Sequence, residues 1–277
     1  MNSLTLTGPA TEALRFHPVR DSVTMLRRNL RRMLRYPSMT VMLVAMPVVF
    51  LLLFVYVLGG TLGAGLGAAV SGGAAGARAT YANYVAPAII LMTVTSTVQG
   101  TAISIAMDLT EGIITRFRTM HIARVSVLTG HVLGGMIQAA LSLSIVIGVA
   151  LLVGFRPTAG PGAWLATAGF LAVVTFALIW LSVALGQVSG SVETASNLPM
   201  PLVLLPFLGS GFVPTDSMPA GLRWFAEYQP FTPIVETLRG LLMDEPIGSN
   251  AGIALVWCAG IAAGGYLWSR RLFNRES

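Results

Sequence analysis

Apolar positions in this chain form long continuous runs, with polar residues gathered between them. Six stretches, roughly 39–59, 82–107, 125–153, 163–186, 198–213 and 251–269, contain no Asp, Glu, Lys or Arg. A helix needs about 20 mostly apolar residues to cross a bilayer. In lipid, a helix also satisfies its own backbone N–H and C=O groups. The pattern therefore predicts an all-α membrane protein with six transmembrane helices. The fifth run is short and holds Pro199, Pro201 and Pro206, so it is expected to be broken or partly re-entrant. The glycines of "GGTLGAGLGAAVSGGAAGA" (59–77) predict a flexible loop after the first span. Residues 1–38 and 273–277 then flank a transmembrane domain over 39–272.

Charge gives the runs an orientation. All 17 basic residues are arginine, and 13 of them fall in segments that share one side: seven before residue 39, three in 108–124 and three in 270–275. The other side holds only Arg78, Arg156, Arg223 and Arg239. By the positive-inside rule both termini are cytoplasmic. The net charge of +6 follows from this topology and needs no nucleic-acid partner. A hydrophobic content of 55% and a mean hydropathy of +0.76 agree with a membrane class. The first apolar run follows seven arginines and is long enough to span, so it reads as an anchor rather than a cleaved signal. Cys258 is alone, and His17, His121 and His131 lie far apart without acidic partners at ligand spacing, so neither a disulfide framework nor a metal site is expected.

Two polar segments carry helical patterns of their own. In "DSVTMLRRNLRRMLR" (21–35), Val23, Leu26, Leu30, Met33 and Leu34 share one arc, and Arg27, Arg28, Arg31, Arg32 and Arg35 occupy the next. Such a helix lies in the inner headgroup layer with its arginines at lipid phosphates. A plain positive-inside anchor is the alternative. In "DLTEGIITRFRTMHIAR" (108–124), Asp108 is placed to cap a helix with Glu111 reaching back, and Gly112 follows. Ile113, Phe117 and Met120 then form an apolar ridge, flanked by Arg116 and Arg118. A ridge with a charged rim suits a groove on another protein; a polar loop that only fixes topology is the alternative.

These segments, with "GFVPTDSMPAGLRWFAEYQPFTPIVETLRGLL" (211–242), resemble the permeases of type-2 ATP-binding-cassette exporters, in particular the daunorubicin-resistance branch. The resemblance extends over most of residues 20–270. It implies that 108–124 is a cytoplasmic coupling helix between spans 2 and 3, and that an outer re-entrant hairpin follows span 5. It implies a half-transporter in the bacterial plasma membrane that pairs with a second copy of itself and docks a separate P-loop ATPase. The substrate implied is a hydrophobic or amphipathic drug, antibiotic or lipid; export of a polysaccharide or lipid-linked glycan is the competing reading. The chain is not itself expected to be an enzyme. It has no lysine and no G-x-x-x-x-G-K-[ST] motif, so ATP and Mg are expected on the partner and no cofactor here.

An ion-coupled transporter generally keeps ionisable groups inside its spans, and the six runs contain no carboxylate. Thr93, Thr97, Thr101 and Ser104 line one face of span 2. That face is either a translocation surface or a helix-packing seam, since hydroxyl residues also bond between helices. Gly130-x-x-x-Gly134 and Gly260-x-x-x-Gly264 are candidates for close packing.

Overall fold

The computed structural model describes residues 27, 35, 37–112 and 124–275, and among these the chain is helical apart from turns, with no strand. Five helices are long and apolar enough to cross a membrane: Thr40–Leu66, Ala75–Thr110, Thr129–Val153, Pro161–Val188 and Asn250–Leu272. The second is the centre of the protein, with 78% of its most apolar stretch buried, and the fourth follows at 56%. The first, third and last reach only 22%, 28% and 17%, so most of their surface faces outward. Leu152, Met42 and Val256 are among the large apolar side chains on that surface. In water such patches would drive aggregation; in a bilayer they meet acyl chains.

The first span solves a spacing problem. Its buried positions are Val44, Pro47, Leu51, Val55, Gly59 and Gly63, four residues apart from Pro47 onward. On a straight α-helix each four-residue step overshoots a full turn by about 40°, so four steps would drift by about 160° off the core. A wide π-helical turn at Leu53–Leu58 falls within the stripe and takes up drift, and a second at Ala64–Ala68 follows it.

The glycine-rich stretch 59–77 is not the flexible loop that its composition suggests. It continues as helix through Gly59–Gly63 and turns back at Gly73, whose φ of 58° and ψ of −154° suit glycine. The many alanines favour helix. Gly63 lies so close to Ala77 that a β-carbon there would fall on the Ala77 carbonyl. Gly63 serves close approach to the returning helix, and Gly73 serves the turn between them.

The fifth apolar run forms no full-length helix. Ahead of it lies the short helix Val192–Asn197, and the run itself gives only Met200–Leu204 and a 3₁₀ turn at Leu205–Leu208, the prolines denying the ladder its donors. Ser191 caps the first piece by accepting from Thr194 N. The segment nevertheless follows the central helix closely. Gln99 Nε2 donates to Ser196 O at 2.7 Å, Tyr84 Oη to Ser210 O at 2.8 Å and Tyr81 Oη to Phe212 O at 3.1 Å. Positions 99 and 81 of a helix are about 27 Å apart along its axis, so the broken run climbs most of a hydrocarbon layer of about 30 Å.

Two short helices separate this run from the last span. Ala220–Tyr228 is amphipathic and exposes Trp224 and Tyr228, while Phe231–Met243 is sunk in the core through Phe231, Ile234, Val235, Leu238 and Leu242. Leu242 O accepts from the backbone of Thr158 and Ala159 and so ties this helix to the connection between the third and fourth spans. Asp244, at φ 56°, closes it in the left-handed conformation that Asp tolerates better than most residues.

Candidate functional site

The helix Ala75–Thr110 carries polar groups at three levels, and each level joins it to a different neighbour. At the Thr110 end the helix runs farther than the apolar run that predicted it. Asp108 lies inside the helix and not at the start of a new one, so the expected capping box does not form there. Glu111 N bonds back to Met107 O at 2.9 Å, and Gly112 N to Leu109 O at 3.1 Å. Gly112, at φ 68°, ends the helix as a left-handed glycine does.

Asp108 is 1% exposed and faces His131 of the next span, 4% exposed, with Oδ2 and Nε2 3.3 Å apart. The approach has ion-pair distance without hydrogen-bond alignment. Asp108 has further interactions besides this one. The pair is 23 positions apart in sequence, and neither residue signals the other. It also changes one inference from sequence: the six apolar runs lack carboxylates, but the helix built from the second one holds a buried carboxylate. Asp108 and His131 thereby bracket the connection 113–123 between the second and third helices. Ile113, Arg116, Phe117, Arg118 and Met120, the expected ridge and rim, lie outside the described residues. Of the expected interfacial arginines, Arg27 and Arg35 are helical and exposed; Arg28, Arg31 and Arg32 lie outside the described residues.

Midway along the helix, Thr93, Thr97 and Thr101 are buried and Ser104 is half-buried. The three threonine hydroxyls donate to Ile89 O, Thr93 O and Thr97 O at 2.8, 3.0 and 3.0 Å. Their hydrogen-bonding capacity as donors is thus spent on their own helix. Another helix meets this face, since a β-carbon on Gly135 would lie 2.8 Å from Thr101 Oγ1; on the adjoining face one on Gly186 would lie 2.8 Å from Ala102 O. Ser182 Oγ also donates to Val98 O. These approaches are those of a packing seam between helices.

At the other end, Arg239 from the buried short helix is 8% exposed and fully engaged on one side. Its Nη1 donates to Glu236 Oε1 at 2.7 Å, and Nη2 to Ser210 O at 3.0 Å and Tyr84 O at 3.3 Å. The guanidinium lies 4.0 Å above the Tyr84 ring. One residue thus clasps the central helix, the broken run and its own helix. A cavity of about 320 Å³ opens beside it, bordered also by Leu66, Met243 and Glu245. Nothing in local composition signals this knot; Arg239 and Tyr84 are 155 positions apart. Tyr84→Phe is expected to cost about 1 kcal/mol, the net worth of one hydrogen bond, because Ser210 O keeps its bond from Arg239. Denaturant unfolding of the purified variant in mixed micelles measures it; a loss above about 3 kcal/mol would show that the clasp depends on the hydroxyl.

On the exposed helix Ala220–Tyr228, Arg223 bonds Glu227 and pairs with Asp216, each at 2.7 Å, all three exposed. The Glu227 hydrogen bond, then the Asp216 charge, push the Arg223 guanidinium above its usual value.

The profile of the ABC-2 type transporter family matches residues 21–243. A daunorubicin resistance ABC transporter permease protein of Streptomyces coeruleorubidus is 26% identical over 202 residues, which is 71% of this chain and 70% of that one. Probable doxorubicin resistance ABC transporter permease proteins of two Mycobacterium tuberculosis strains are 26% identical over 163 residues, 58% of each chain.

Proposed function

The chain belongs to the ABC-2 type transporter family, and from that premise we propose that it is the membrane half of an exporter that moves a hydrophobic or amphipathic drug, antibiotic or lipid out of the cell. As a multi-pass permease it is a transport subunit rather than an enzyme. The observation that carries the reading is the single family match over 21–243, which takes in both the 108–124 connection and the 211–242 stretch. The relatives' names, daunorubicin and doxorubicin resistance, support an amphipathic drug over a glycan as cargo.

In this reading the chain crosses the membrane six times, with the broken run 192–212 as the fifth crossing and both termini cytoplasmic. The hydrogen-bond register of that run along the central helix supports the crossing, and the arginine distribution supports the orientation. Two copies form the pathway, and each docks a separate ATPase, which binds ATP and Mg, through the 108–124 connection. Family membership supports ATP as the driving force; a lack of buried carboxylates no longer does, given Asp108.

The purified chain is therefore expected to hydrolyse no ATP alone, and to support drug-stimulated hydrolysis and vesicle export once a P-loop ATPase is co-reconstituted. Robust hydrolysis by the isolated chain, free of contaminating ATPase, would overturn the proposal. Export driven by a proton gradient in the absence of nucleotide would replace it with the ion-coupled reading.

A further inference from the structure

The broken run 192–212 is poorly suited to lipid. Pro199, Pro201 and Pro206 withdraw the N–H groups that α-helical geometry would aim at the carbonyls of Ala195, Asn197 and Leu202. The five long spans lose at most one such donor each, at Pro47 in the first and Pro87 in the second. Acyl chains supply no donor in exchange, so irregular backbone at membrane depth is kept against protein or water. Continuous helices such as the third and last spans are under no such constraint.

The outward side of the run carries a distinct stripe. Met200, Leu204 and Leu208 lie four residues apart and are exposed. Asn197 extends the stripe; it is exposed, and its amide makes no hydrogen bond among the described residues. Its neighbour Ser196 accepts from Gln99. Gln99 lies eight residues, about 12 Å, inside the Thr110-side edge of the apolar run 82–107, so Asn197 stands within the hydrocarbon layer. An unanswered amide is costly there. Water would answer it but would leave Met200, Leu204 and Leu208 wetted. A protein surface with apolar side chains and one amide meets both needs. The stripe itself is such a surface. It holds no charge between residues 197 and 208 to repel a copy of itself. An amide both donates and accepts, so two identical stripes are complementary about a twofold axis.

We propose that the broken runs of two copies pack against each other, with Asn197 hydrogen-bonded to the partner's Asn197 across the twofold axis. Each copy thereby covers the backbone that the prolines leave incomplete in the other. The proposal rests on the two-copy reading and adds the face on which the copies meet.

The test uses the full chain in membrane vesicles, with Cys258→Ala to remove the native thiol. Asn197→Cys is expected to give a disulfide-linked dimer on mild oxidation, since side chains in hydrogen-bond contact are within disulfide reach. Val256→Cys, exposed on the last span, should stay monomeric. In dilute vesicles, with copies counted by single-molecule photobleaching, Asn197→Leu should weaken pairing about fivefold, the ratio that ~1 kcal/mol for one interhelical hydrogen bond corresponds to. Asn197 is at the surface, so this variant should fold. Dimers that do not link through Asn197→Cys overturn the face and leave the two-copy reading standing. Single-step photobleaching of the wild type overturns both. Unchanged pairing in Asn197→Leu overturns the amide contact. Labelling of Leu204→Cys by a membrane-impermeant thiol reagent would show a water-lined stripe and overturn the packing as well.

Discussion

Asp108→Leu is expected to destabilise the purified chain by about 1–3 kcal/mol, the cost of removing a buried polar partner. Asp108 and His131 are 1% and 4% exposed, and Asp108 has further interactions besides this contact, so its loss leaves more than one group without its partner. His131→Leu takes away the His131 contact alone and should cost less, about 1 kcal/mol. The double variant should cost less than the two single losses added together. Unfolding titrations of the four proteins in mixed micelles give the cycle directly. Equal stability of His131→Leu and wild type would mean that the pair holds nothing, and that the ends of the 113–123 connection are fixed by packing alone.

Gly265→Leu should cost about 3 kcal/mol, the upper end of the usual penalty for overpacking. A β-carbon at Gly265 would lie 2.6 Å from Leu181 N and 2.7 Å from Trp180 C. Those atoms are main chain of the fourth span and cannot turn aside, so the two helices must separate. Gly260 and Gly264 face open space, and alanine at either should be neutral or stabilise by up to ~1 kcal/mol through helix propensity. The same unfolding titration decides. If Gly264→Ala costs more than Gly265→Ala, the last span is rotated from the face described here.

That one-residue offset shows where sequence reading stops. A small-x-x-x-small pattern at 260 and 264 marks a helix able to pack closely, but glycine is so frequent in this chain that spacing alone cannot choose the face; the close approach falls on the neighbouring Gly265. Five of the six apolar runs become long helices because length and hydropathy decide that outcome almost alone. The remaining one, 198–213, carries three prolines and is broken, as they predict. The 59–77 stretch misleads because glycine allows both a loop and two closely packed helices, and only the facing Ala77 distinguishes them. Asp108–His131 and Arg239–Tyr84 are out of reach for a simpler reason. Each joins residues on different helices, and hydrophobic periodicity carries no information on which helices are neighbours.

The wide turns at Leu53–Leu58 and Ala64–Ala68 make the first span unusually forgiving of a change in length. Each holds one residue more than an α-turn needs. Losing a residue from Leu53–Leu58 returns that turn to ordinary α geometry, and Val44 and Gly63 remain on the same side. The same loss in the middle of Ala75–Thr110 has no such outlet. Everything beyond it would rotate by about 100°, swinging Asp108 out of line with His131 while Tyr81 and Tyr84 stayed with their carbonyls. One helix can be shortened in place; the other is a fixed ruler between the two faces of the membrane.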